Sequence, residues 1–222
     1  MLEFAELLPP SLMNISGSAF YSGRNAFKGK KELYILGLNP GGSPVEQKEE
    51  TLSWHTSMVL QNPNPNWSEY KNVRWDGHPP GTYGLQPRVL HMLRILELSP
   101  YEVPASNICF VRSNREKAIS KDFRTYANLC WPFHQKVIES LHIKVILCFG
   151  RRSGDYVRYK LKANKLIEEF FEVNERKWAS QVFENDDGII VISATHPSIA
   201  DWTRPETDPS GLVKKYLRGK ID

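Results

Sequence analysis

The chain has 222 residues, with 29 Lys and Arg against 25 Asp and Glu and a formal net charge of +4. That length fits one large domain or two small ones with a sizeable core, and the mild positive charge permits a phosphate-rich partner without requiring one. Three cysteines (Cys109, Cys130, Cys148) without a CxxC pair argue against a disulfide framework or a zinc ribbon, no apolar run approaches bilayer length, and an acidic start that soon meets Pro9-Pro10 does not read as a signal peptide.

Residues 1 to 30 are punctuated by Pro9, Pro10, Gly17, Gly23 and Gly29 and read as an irregular lead-in with one short helix. Glu32 to Leu38 is the first strand, because its apolar run leaves no wet face. Gly41 to Gly84 is a long polar segment holding Trp54, Trp67, Tyr70, Trp75 and Tyr83. Within it Glu46 to Leu60 suits a helix, whereas Asn62-Pro-Asn-Pro-Asn66 does not. Gln86 to Leu98 is predicted helical from the stripe Val89, Leu90, Leu93 and Leu96. Asn107 to Val111 is a second strand, followed by the polar run Arg112 to Glu116. Phe133, Val137, Ile138 and Leu141 mark a helix with Pro132 in its first turn, residues 122 to 130 forming a separate piece. Lys144 to Phe149 is a third strand and Ser153 to Asn164 a basic helix. Residues 166 to 185 are ambiguous, irregular or a hairpin with Asn185 to Gly188 as its turn. Ile189 to Ala194 is the fourth strand, and Leu212 to Arg218 a closing helix.

Strands alternating with helices predict one α/β domain over residues 1–222: a three-layer α/β/α sandwich around a mainly parallel four-stranded sheet. In such a sheet the strands' carboxyl ends share one edge. Three polar clusters then converge there: Asn39 to Ser43, Arg112 to Arg115, and His196 to Ser198. The Gly-rich turn after the first strand is neither GxGxxG nor a P-loop, and no paired metal-ligand spacing appears, so neither a metal nor a cofactor is expected. Taken singly, Asn39 suits a turn and His196 a structural role.

Taken together, Gly37-Leu-Asn-Pro-Gly41 resembles the first motif of the uracil-DNA glycosylase superfamily, and His196-Pro-Ser198 resembles its second. Asn107 to Arg115 is similar to the strand and loop that supply that superfamily's base-reading asparagine. Cys130-Trp-Pro-Phe followed by Lys144 to Gly150 resembles the iron–sulfur branch, but three of the four cluster cysteines are missing, so no cluster is expected. The resemblance covers about residues 32 to 200 and implies an enzyme, a monofunctional glycosylase acting as a monomer on single- or double-stranded DNA that contains uracil or a damaged base. His196 would donate to the leaving base and Asn39 would hold the water. Asn114, Tyr83 and Leu38 would contact the base. Gly41, Gly42, Ser43 and Ser198 would grip phosphates, and Ile199 or Trp202 would serve as a wedge where the best-known members have Pro-Leu, with Asp201 unhelpful near phosphates.

The alternative is a non-catalytic nucleic-acid or nucleotide-binding module on the same fold; a weaker one is a hydrolase of small nucleosides. No membrane partner is expected, and a reducing, cytoplasmic setting (nucleoid-associated or nuclear) suits the free thiols.

Overall fold

The computed structural model describes residues 1–217. In chain order its elements are α1 (Leu2–Ala5), β1 (Leu33–Gly37), α2 (Leu52–Gln61), α3 (Glu69–Asn72), α4 (Gln86–Ile95), β2 (Ala105–Asn107), α5 (Glu116–Ile119), α6 (Phe123–Ser140), β3 (Val145–Phe149), α7 (Arg151–Leu161), β4 (Lys165–Phe171), β5 (Ala179–Glu184), β6 (Ile190–Ala194) and α8 (Ser210–Leu217). Arg218, expected to end the closing helix, lies outside the described residues.

The sheet has six strands in the order β2-β1-β3-β6-β5-β4. The run β2-β1-β3-β6 is parallel, while β5 and β4 add antiparallel to the β6 edge. The expectation of four strands is therefore corrected to a mixed sheet of six. The two additional strands escape a reading by hydrophobic runs because β4 is partly exposed along its whole length. Asn185 to Gly188 is a hairpin turn, as expected, and it joins β5 to the antiparallel β6.

Every residue of β1, β3 and β6 is buried, and alternate side chains enter two separate cores. Leu33, Ile35, Val145, Leu147, Ile190 and Ile192 meet Val89, Met92 and Leu93 of α4 and Leu212 and Val213 of α8. Tyr34, Leu36, Ile146, Cys148 and Val191 meet α6 and α7 on the opposite face. Each such aliphatic side chain contributes roughly 1.5–3 kcal/mol by leaving water, which explains why a polar strand could not replace any of these three. The stripe of α4 is one residue off the expected one, with Met92 buried and Leu90 only half-buried.

Residues 1 to 30 hold one short α-helix and are otherwise irregular, as expected, but they are packed down, with Phe4, Leu8, Leu12, Phe20 and Phe27 in the core. Two further expectations change. Pro132 lies inside α6 rather than in a first turn. The helix runs through it because Ala127, Cys130 and Trp131 are buried before it and Phe133, His134 and Val137 after it, and that packing offsets the lost hydrogen bond. The second strand ends at Asn107; beyond it Ile108 and Cys109 still donate to the carbonyls of Gly37 and Leu38, but the chain then diverges to pair Val111 with Gly17. The three thiols are buried and free, and burial pushes all three upward, that of Cys130 to about 12. Among the described residues no helix is long and apolar enough to cross a membrane.

Candidate functional site

The chain runs from β1 first to β2 on one side and then to β3 on the other. The crevice beyond the carboxyl ends of β1 and β3 is thus the point where strand order reverses, the usual ligand position in open α/β sheets. A cleft of about 2390 Å³ opens there, and Asn39, Asn107, Ser113, Phe149 and His196 all line it. The convergence expected from the sequence is present.

Asn39 sits in the turn after β1. Its Nδ2 donates to the Pro40 carbonyl at 2.8 Å and to Ser113 Oγ at 2.9 Å. Ser113 Oγ in turn donates to the Arg115 carbonyl at 3.1 Å. The partners of the amide nitrogen, with the more distant Val111 carbonyl at 3.5 Å, are all acceptors, so the amide orientation is fixed by its neighbours. The remaining group, Oδ1, has no protein partner among the described residues and is left as an acceptor beside the cleft. Arg112 fastens the same turn: it donates to the Gly41 carbonyl at 2.7 Å and pairs with Glu50 at 2.9 Å.

His196 has the complementary arrangement. The Ser198 backbone N–H donates to its Nδ1 at 3.0 Å, and Ser198 Oγ lies 2.8 Å from the same nitrogen. A ring nitrogen that accepts from a backbone N–H carries no proton, so in the neutral ring the proton is on Nε2. Burial pushes the pKa of His196 down to about 4, with Glu116 opposing weakly, and the imidazole is neutral at physiological pH. Nε2–H has no protein partner among the described residues. The ring stands edge-on to Phe149 at 6.1 Å. Behind it, Gly150 has φ +86°, a left-handed conformation that favours glycine, and it starts α7 3.5 Å (measured from an added Cβ) from the Cβ of His196.

The other expected residues divide. Leu38 is buried on the cleft wall. Asn114 lines the cleft from an exposed loop position. Tyr83 is 38 % exposed and one face of its ring is stacked on His78 at 4.2 Å, so only the other is open. Gly41, Gly42 and Ser43 border the cleft, and none of their backbone N–H groups donates within the described residues. Ile199 is 53 % exposed. Trp202, in contrast, is fully buried against Phe149, with its indole N–H on the Thr195 carbonyl; it is core and is withdrawn as a wedge. Asp201 faces Arg88 and Arg204 and accepts from Thr203 at 2.7 Å, so its charge is compensated.

Two cleft residues are not among the expected site residues. Asn107, the last residue of β2, is only 4 % exposed, and its buried Nδ2 makes no well-formed hydrogen bond, the Tyr21 hydroxyl being its polar neighbour. Such a group costs roughly 1–3 kcal/mol when left unmatched. Glu69 opens α3 and is pushed up to about 7, chiefly by burial. Asn107 carried a signal, since an amide at the end of a buried parallel strand lies where ligands bind. Nothing local to Glu69 announces its burial.

No family model matches the chain, and no curated protein matches it significantly.

Proposed function

We propose that the protein hydrolyses the N-glycosidic bond linking uracil, or a related damaged base, to deoxyribose in DNA. One observation carries the reading: a neutral histidine with its donor free and an asparagine with its acceptor free border the same cleft. As the bond breaks, its electron pair leaves with the base, and negative charge builds on the base carbonyls. His196 Nε2–H hydrogen-bonds the O2 oxygen and strengthens as that charge grows, which is the differential binding catalysis requires. The sugar carbon becomes cationic and is attacked by water. Asn39 Oδ1 accepts from that water and aims its lone pair. An amide does not take the proton, which passes to solvent after the C–O bond forms, so Asn39 acts by positioning.

The surroundings support a nucleic-acid substrate. The unoccupied N–H groups of Gly41, Gly42 and Ser43 suit phosphate oxygens. Arg115, Lys121 and Arg124 rim the cleft without an ion-pair partner among the described residues. A base must leave the stack to reach a recessed pocket, and Ile199 is the exposed apolar side chain beside His196 that would fill the gap.

The test is base release from labelled oligonucleotides containing uracil, single-stranded or paired with G or A. Alkali-labile sites are expected with the intact protein and a loss of about 10²–10³-fold with His196→Ala, the size of effect seen when one donor to a developing anion is removed. DNA binding without release on any substrate would instead support the binding-module reading.

A further inference from the structure

The cleft of about 2390 Å³ is larger than one flipped base requires. A site for a small ligand holds roughly 300–1,000 Å³, so the target nucleotide fills less than half of it. The remainder has a distinctive lining. Five aromatic side chains are exposed among the described residues: Trp54, Tyr83, Tyr159, Phe171 and Trp178. All but Phe171 line this one cleft.

Tyr159 and Trp178 reach it from separate elements, Tyr159 on α7 and Trp178 just before β5. Tyr159 is 76 % exposed and stands beside the seam between α6 and α7. The Tyr156 hydroxyl closes that seam by donating to Asn128 Oδ1 at 3.0 Å. Lys160 Nζ lies 5.5 Å from the Tyr156 ring, and Lys121 and Arg124 border the cleft from the α6 side. None of these three cations has an ion-pair partner among the described residues. The nearby acids are already engaged, Glu116 by Arg152 at 3.2 Å and Asp155 by Arg158 at 3.3 Å. Trp178 likewise combines a ring with a cation. Arg176 lies over one face at 4.3 Å and donates to the Ile199 carbonyl at 2.8 Å, which ties the ring to the loop of His196 and leaves its second face for a base.

Cations alone would serve duplex and single strand alike, since phosphates are common to both. Exposed rings do not. Bases in a duplex stack on one another and offer a ring at the rim no free face, whereas an unpaired strand splays its bases onto such platforms.

We propose that the cleft is a track for an unpaired DNA strand, in which nucleotides flanking the target base stack on Tyr159 and Trp178 while Lys121, Arg124 and Lys160 hold phosphates. This rests on the DNA substrate of the reading above, but not on base release. The protein then selects single-stranded DNA over duplex through residues that take no part in the chemistry.

Binding to uracil-free DNA separates the track from turnover. A fluorescein-labelled oligonucleotide of about 12 nucleotides, single-stranded or annealed to its complement, is titrated with the protein and followed by anisotropy at several salt concentrations. The single strand is expected to bind about tenfold or more tightly than the duplex, the combined effect of two base–aromatic stacks. Tyr159→Ala and Trp178→Ala are each expected to weaken single-strand binding by about fivefold or more, the loss of one stack. Duplex binding and the salt slope should stay unchanged, because no charge is removed. Tyr159→Phe and Trp178→Phe keep a ring and are expected to retain most of the affinity. Phe171→Ala, which removes an exposed ring outside the cleft, is expected to change nothing. A duplex bound as tightly as the single strand, or Ala variants indistinguishable from Phe171→Ala, would overturn the proposal. So would an equal loss on duplex, which would mark general damage to the surface rather than lost stacking. Ring-dependent single-strand binding beside absent base release would uphold the track and count against the glycosylase reading alone.

Discussion

Mild acid should destabilise this protein through its buried histidines. His134 is fully buried in α6, its Nδ1 accepting from the Tyr34 hydroxyl at 2.9 Å and its Nε2 facing the Ile108 carbonyl at 3.3 Å. A carbonyl only accepts, so Nε2 holds the proton and the neutral ring satisfies both partners. Burial pushes His134 down to about 4, and it does the same to His55 and His196. An unfolded histidine titrates near ~6.5. Between those values the unfolded chain binds three protons that the folded chain refuses, so their contribution is present above about pH 6.5 and is lost as pH falls towards 4. Glu69 runs the other way. Raised to about 7 from 4.5, it stabilises the folded state at low pH and loses that contribution as pH rises. Three protons less one leave a net difference of two, or about 2.7 kcal/mol per pH unit at ~1.36 kcal/mol each. From about pH 6.5, where the unfolded histidines are half protonated, to about pH 5 the loss is ~3 kcal/mol, a large part of the roughly 5–15 kcal/mol that holds a domain together. Urea midpoints followed by circular dichroism across that range give the slope. His134→Gln removes one titrating group and should halve it, whatever packing it disturbs, because a packing loss shifts stability without changing its pH dependence. A slope shared by wild type and variant, or stability that is flat or rises on acidification, would refute the reasoning.

Four other outcomes are expected. Ser113→Ala leaves Asn39 Nδ2 with only the Pro40 carbonyl as a close partner; at about 1 kcal/mol for the lost bond, kcat for base release should fall roughly fivefold with little change in KM. Trp202→Ala empties a fully buried site and should cost about 3–5 kcal/mol in chemical denaturation. Ile199→Ala should leave stability within ~0.5 kcal/mol and slow release from duplex more than from single strands. Replacing Arg115, Lys121 and Arg124 with Gln should lower the slope of log K against log salt for duplex binding by up to about 2–3, read by fluorescence anisotropy; an unchanged slope would place the DNA elsewhere.

Sequence legibility followed burial. β1, β3 and β6 could be read because all their residues are buried, and an apolar run is the direct trace of that condition. β4 has no such trace, since Lys165, Glu168 and Glu169 share it with Leu166 and Phe170 at an edge. α6 was divided at Pro132 by a local rule that tertiary packing overrides. The cleft's outer members were legible as polar turns after buried strands. Its inner members were not: Asn107 is masked by the apolar residues that follow it, and the surroundings of Glu69 are made by Tyr21 from the N-terminal segment and Trp75 from beyond the helix, gathered around its neighbour Tyr70. The same blindness put Trp202 on the surface, because nothing within Ile199 to Trp202 says which side chain the sheet will cover.

The two legible residues are tied down in opposite senses. Asn39 uses its donor on Pro40 and Ser113 and keeps its acceptor; His196 uses its acceptor on the Ser198 N–H and keeps its donor. Each anchor lies within the same loop or an adjoining one, so polarity is set locally while the parallel strands bring the two loops together. Exchanging either anchor would turn the wrong atom to the cleft without moving the backbone. Hydrolysis of a glycosidic bond needs both senses at once, an acceptor for the attacking water and a donor for the departing anion. A binding module needs neither in particular, and this pairing of a free acceptor with a free donor is why the catalytic reading is preferred.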